Sequence, residues 1–178
     1  MRRIRLRFES IQQVAGNQEL AVILLTDEER KRVLSVVCDD TMTRQILLRL
    51  QSPQRCSTML PESLVAMLGE DTLDMMVYGL HDGQYQVVLA NGSFQRHHRI
   101  RLSDAVLLSL IAGFPLYIEE HLMNIQSTPF DEQATGISIP INTMDVTRLN
   151  LAMQKAIDEE NYELASQLRD EIKRRTQN

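Results

Sequence analysis

Arg101, Ser103 and Asp104 are the residues of this chain best spaced for chemistry, in the stretch RIRLSDAVLLSLIAGFPLYIEEH over residues 99–121. An arginine with an aspartate three residues later, at the start of an apolar run, puts a guanidinium, a hydroxyl and a carboxylate within one helical turn. Arg101 could clamp a phosphate with help from Ser103, and Asp104 could accept a proton or ligate a metal ion. The same residues also make an ordinary helix start, in which Ser103 caps, Asp104 complements the helix dipole and Arg101 neutralises Asp104. Both readings stand on spacing alone.

Two flanking runs extend the set. In RHHRIR, alternation places Arg96, His98 and Ile100 on one face and His97, Arg99 and Arg101 on the other. Arginine suits phosphate, and histidine adds charge or acid–base capacity. As a plain strand, the same run would guard a sheet edge. Glu119, Glu120 and His121 follow a strand and could help bind a hard cation, or form the exposed first turn of a short helix. Asp39-Asp40 and Glu70-Asp71 share that ambiguity.

The elements that must carry these residues are legible from periodicity. RIRLRF alternates, turning Ile4, Leu6 and Phe8 inward and Arg3, Arg5 and Arg7 outward. ELAVILLT and RVLSVV read as strands around a DEERK turn. DDTMTRQILLRL reads as a helix with Ile46, Leu47 and Leu50 on its apolar stripe, and LPESLVAMLG as a shorter one ending at Gly69. TLDMMVYGL and QYQVVLA flank Asp82-Gly83, and a second turn at Asn91-Gly92 leads into SFQRHHRIRL, which makes a three-stranded meander. Ser103 starts a buried helix, Gly113 ends it, and FPLYI is a closing strand.

After residue 125 a Pro- and Gly-containing stretch has no helical period. The expected organisation is therefore an α+β domain over 1–125 with a mixed, mainly antiparallel sheet, a linker over 126–146, and an α-helical hairpin over 147–175 broken at Asn161. Leu149, Met153, Ala156 and Ile157 line one face of its first helix, and Tyr162, Ala165, Leu168 and Ile172 one face of the second. Asp170 with Arg174 and Glu171 with Arg175 are spaced as favourable pairs. So small a hairpin buries little alone, so Met153, Ile157, Tyr162 and Leu168 are expected to meet a partner. That apolar face and an N-terminal edge strand, both needing cover, point to a homo-oligomer.

Composition narrows the classes. The chain has 178 residues, 43% of them apolar and 24% charged, and a net charge of −5, which argues against coating nucleic acid by bulk electrostatics. Cys38 and Cys56 form no CxxC pair and fit a reducing compartment. MRRIRLRFES lacks the apolar run of a signal peptide, and nothing is long and apolar enough to span a bilayer, so a cytoplasmic protein is expected. Walker, GxGxxG, HExxH, GxSxG and CxxC patterns are absent from the sequence.

The stretch from Arg101 to Ile118 resembles the signature of the bifunctional nuclease domain family, in which Arg-Pro-Ser-Asp-Ala enters an apolar helix and then a Gly, a Pro and an aromatic-bearing strand. Leu102 stands at the proline position, and CDDTM at the place of the family's glycine–x–x–Glu–Ala segment. LPESLVAML and VYGLHDGQYQVVL take the places of segments upstream, so the likeness extends loosely over 1–125. YELASQLRDEI in the tail resembles the UVR motif of bacterial excision-repair nuclease subunits, a hairpin that pairs with a partner's hairpin. The resemblance implies a nuclease acting on DNA or RNA with little sequence preference. Asp104, with Glu119 or Glu120, would hold a divalent magnesium or manganese ion or accept the proton, and Arg101, Ser103, Arg96 and His98 would hold phosphates. The competing expectation is a non-catalytic oligomeric scaffold or adaptor that recruits a partner through the hairpin.

Overall fold

The computed structural model describes residues 2–13, 20–68, 73–81, 83–91, 97–132, 146–158, 160 and 162–176. The chain forms two compact units, Met1–Ser138 and Ile139–Asn178.

The first unit is α+β. Its strands are β1 (Arg3–Gln13), β2 (Leu20–Asp27), β3 (Arg32–Asp39), β4 (Leu73–His81), β5 (Gln84–Asn91), β6 (His97–Ile100), β7 (Leu116–Glu119) and β8 (Thr128–Pro129). Its helices are α1 (Asp40–Gln51), α2 (Leu60–Leu68), α3 (Leu102–Ala112) and α4 (Glu120–Gln126). The strands form one mixed sheet in the order β6-β5-β4-β7-β1-β2-β3-β8, antiparallel throughout except where β7 runs parallel to β4. β1–β2–β3 and β4–β5–β6 are local meanders, and β7 returns from α3 to lie between them.

The position of β1 corrects an expectation. It lies inside the sheet, because β7 pairs with Arg3–Leu6, and among the described residues β6 and β8 are the outermost strands. β8, expected within the linker, pairs with Arg32 and Val33 instead.

Alternation builds the core. Leu6, Ile23, Leu25, Leu34, Val36, Met75, Val77, Val87, Leu116 and Ile118 turn toward one face and pack against Leu102, Ala105, Val106 and Leu107 of α3. α1 starts where Asp39 caps it, Oδ1 accepting from the Met42 N–H at 2.7 Å. Its buried stripe is Met42, Ile46 and Arg49, while Leu50 is exposed. α2 buries none of its residues, and Arg49 of α1 reaches Glu62 of α2. Gly113 ends α3 at φ 70°, donating to the Ser109 carbonyl, a left-handed geometry that favours glycine.

The second unit is a hairpin of α5 (Val146–Asp158) and α6 (Tyr162–Thr176), closed by Leu149, Ala156, Ala165 and Leu168, with Ala152, Met153 and Ile172 packed beside them. Two residues expected on its apolar faces are exposed, Ile157 at 41% and Tyr162 at 67%. They flank the turn at Glu160: Ile157 is one position beyond the i, i+3, i+7 stripe that Leu149, Ala152 and Ala156 define, and Tyr162 is the first residue of α6. Leu168, expected to meet a partner, is engaged in the hairpin's own core. Asn161 and the side chains of Arg174 and Arg175, with the pairs expected of them, lie outside the described residues. Among the described residues no helix is long and apolar enough to cross a membrane.

Candidate functional site

The polar group before α3 forms a closed pair. Arg101 is the residue flanking the first helical turn, and Asp104 is the third residue inside it. The Arg101 guanidinium donates from Nε to Asp104 Oδ2 at 2.8 Å and from Nη2 to Oδ1 at 3.0 Å, a two-pronged contact. Its remaining nitrogen, Nη1, lies 3.7 Å from Asp39 Oδ2, beyond hydrogen-bond length. Asp39 is the cap of α1, so the starts of α1 and α3 meet at one guanidinium. Arg101 is 63% exposed, Asp39 56% and Asp104 35%, so the group faces solvent. The hydrogen bonds it donates to Asp104, with the charges of Asp104 and Asp39, hold the guanidinium above its already high pKa.

Ser103 does not cap. The helix begins one residue earlier, at Leu102, and Ser103 is its second residue. In the sequence Asp39 stands out only as part of the Asp39-Asp40 acidic pair before a helical run, and nothing local joins it to Arg101.

The other candidates lie elsewhere. Glu119 is the direct cross-strand neighbour of Arg3, and alternates with Leu116 and Ile118, which face the core. It therefore points to the side of the sheet opposite α3 and does not converge with Asp104. Glu120 opens α4 beside Arg2, at 3.4 Å. His98 is exposed on β6, on the side of Ile100. Arg96 lies outside the described residues, as do Glu70 and Asp71.

A divalent cation would need about six oxygen ligands, water included. Among the described residues no three His, Cys, Asp or Glu side chains gather in a way that could hold a metal ion. Both oxygens of Asp104 are already engaged by Arg101. These residues do not fit a metal site as they stand. Thiol chemistry is disfavoured too: Cys38 is buried, and burial raises its pKa above the ordinary thiol value.

Residues 22–131 match the bifunctional nuclease domain, from β2 through β8 and more than half of the chain. The chain belongs to the bifunctional nuclease domain family. Residues 146–174 match the UvrB/uvrC motif and coincide with the α5–α6 hairpin. Comparison with curated proteins gives no match. Asp39, Arg101 and Asp104 all lie within the bifunctional nuclease domain, whereas β1 and its arginines precede the matched segment.

Proposed function

We propose that this bifunctional nuclease domain hydrolyses phosphodiester bonds of DNA or RNA, with little sequence preference, at Arg101, Asp104 and Asp39. One observation carries the reading. Two carboxylates from separate elements converge on one exposed guanidinium at the start of two helices. Capping α1 accounts for Oδ1 of Asp39 and a first-turn acid for Asp104, but neither role requires Oδ2 of Asp39 to lie beside Arg101.

A phosphate arriving at this point meets Nη1 of Arg101, the nitrogen that Asp104 leaves unused, and the positive end of α3. Asp104 fixes the guanidinium and is a positioning residue. Asp39 Oδ2, not hydrogen-bonded to Arg101, accepts a proton from water as its oxygen bonds to phosphorus. The ester P–O bond breaks and the leaving oxygen takes a proton from solvent. No step requires Glu119 or Glu120. The setting is a reducing cytoplasm, which suits the free Cys38 and Cys56.

The test is cleavage of end-labelled single- and double-stranded DNA and RNA with magnesium, manganese or chelator. Wild type is compared with Asp104→Ala, Arg101→Ala and Asp39→Ala, each checked for folding. The expected result is cleavage reduced about a hundredfold or more in each folded variant. Wild-type cleavage surviving in all three, or no cleavage by folded wild type, would overturn the proposal. Cleavage that requires a metal would overturn the metal-free step at Asp39.

A second reading, an oligomeric scaffold or adaptor acting through the hairpin, draws on the exposed Leu151, Ile157 and Tyr162. The two roles are compatible in one chain.

A further inference from the structure

Cross-strand register defines a second surface, on the side of the sheet away from α3. Arg5 of β1 is opposite Tyr117 of β7, Tyr117 opposite Met76 of β4, Met76 opposite Val88 of β5, and Val88 opposite Arg99 of β6. Directly opposed residues share a face. Each of these alternates with residues of the core, so the row looks outward. It is an apolar and aromatic strip with an arginine at either end.

Arg3 and Arg7 flank Arg5 on the same face, at steps of roughly 6.8 Å along the strand. All three are exposed, at 50%, 44% and 61% for Arg3, Arg5 and Arg7. Acidic neighbours hold Arg3 and Arg5 loosely, whereas Arg7 hydrogen-bonds to Glu28, and Glu119 stands on this face as the cross-strand neighbour of Arg3. Arg3 stands 3.7 Å from Asp74, and Arg5 stands 3.9 Å from Glu28, which Arg7 shares at 3.2 Å. Arg3 lies over the Tyr117 ring, 4.1 Å from its centre. Tyr78, two residues beyond Met76 on β4, is a second ring at the surface.

We infer that this sheet face binds single-stranded nucleic acid, with phosphates on Arg3, Arg5, Arg7 and Arg99 and bases stacked at Tyr117 and Tyr78. A row of arginines beside one half-buried ring, Tyr117, and one exposed ring, Tyr78, suits an unpaired strand, whose phosphates are continuous and whose bases are free to stack. A base can stack on the Arg3 guanidinium or take its place on the Tyr117 ring. A duplex hides its base faces and would leave the two tyrosines unused. The choice of ligand rests on the nucleic-acid reading above, but nothing here depends on the chemistry at Arg101.

The experiment is fluorescence anisotropy of a labelled oligothymidine at several salt concentrations, with cleavage followed in parallel. Arg5→Glu with Arg99→Glu is expected to raise Kd at least tenfold. The milder Arg5→Gln with Arg99→Gln should act in the same direction, and it keeps the test valid if charge reversal disturbs folding. Each lost phosphate contact should flatten the logarithmic salt dependence by about 0.7. Tyr117→Ala should weaken binding several-fold without changing that slope. Face variants that bind like wild type, or a wild type that binds no oligothymidine, overturn the inference whether or not the protein cleaves. Face-dependent binding without cleavage upholds it and overturns the catalytic reading instead.

Discussion

Arg49 and Glu62 form a two-pronged ion pair between α1 and α2, with Nε 2.8 Å from Oε1 and Nη2 3.0 Å from Oε2. Their side chains are only 5% and 15% exposed, and Nη1 of Arg49 is taken up by the carbonyl and side chain of Gln45. Because α2 buries none of its residues, this pair is a principal tie between it and α1. Removing one partner strands the other charge in a dry site. Glu62→Ala should therefore cost about 3–5 kcal/mol, whereas Arg49→Met with Glu62→Leu should cost much less. Urea unfolding measures both, and a loss under about 1 kcal/mol for Glu62→Ala would mean the pair is solvated.

Asp27 ties the β2–β3 turn. Its Oδ1 accepts from the backbone N–H groups of Lys31 at 2.8 Å and Arg32 at 3.2 Å, and its Oδ2 from Arg32 Nε at 3.1 Å. Burial by itself raises the carboxyl pKa, but those hydrogen bonds and the Arg32 charge outweigh it and hold the group below its ordinary value. The stability it contributes is complete above a pH of about 3.9 and is lost as pH falls through the lower folded value. Asp27→Asn should weaken the fold by about 1.5–3 kcal/mol at neutral pH and flatten the acid limb of the stability curve. Parallel curves for variant and wild type below pH 4 would refute this.

Gly113 isolates a backbone effect. A Cβ added there would meet nothing within 4 Å, so only its φ of 70° resists substitution. Gly113→Ala should cost about 1 kcal/mol, a fall in Tm of about 2–4 °C. A larger loss would reveal a steric clash.

The hairpin separates inner from outer residues. Leu168→Asp should abolish its helical signal, because Leu168 lies at 1% exposure between α5 and α6. Ile157→Ser with Tyr162→Ser should preserve helix content and abolish self-association in sedimentation. Wild type that is monomeric at every concentration would remove the oligomer from the reading.

What the sequence revealed follows the range of the interactions involved. The alternation of β1, the Asp-Gly hairpin and the Arg101–Asp104 pair depend on near neighbours, and period and spacing expose them. Asp39 joins that pair only through tertiary packing, and a single chain of letters has no mark for it. Arg49 follows Ile46 by three positions and reads as a solvated charge until Glu62 is placed beside it. The placement of β1 inside the sheet depended on β7, whose pairing is entirely non-local. Glu119 was within reach, since alternation from Ile118 turns it away from the core.

The insertion of β7 also sets a timetable. The β1–β2–β3 meander is complete at Asp39, but the open side of β1 is not covered until Leu116–Glu119 arrives. During synthesis at roughly 5–20 residues per second, that interval is on the order of 4–16 seconds. For that time a nascent chain presents an uncapped strand, as does the facing side of β4 once it forms. A four-residue segment closes both exposed borders at once. Damage to β7 would therefore register first as lost soluble yield, before any change in a purified sample.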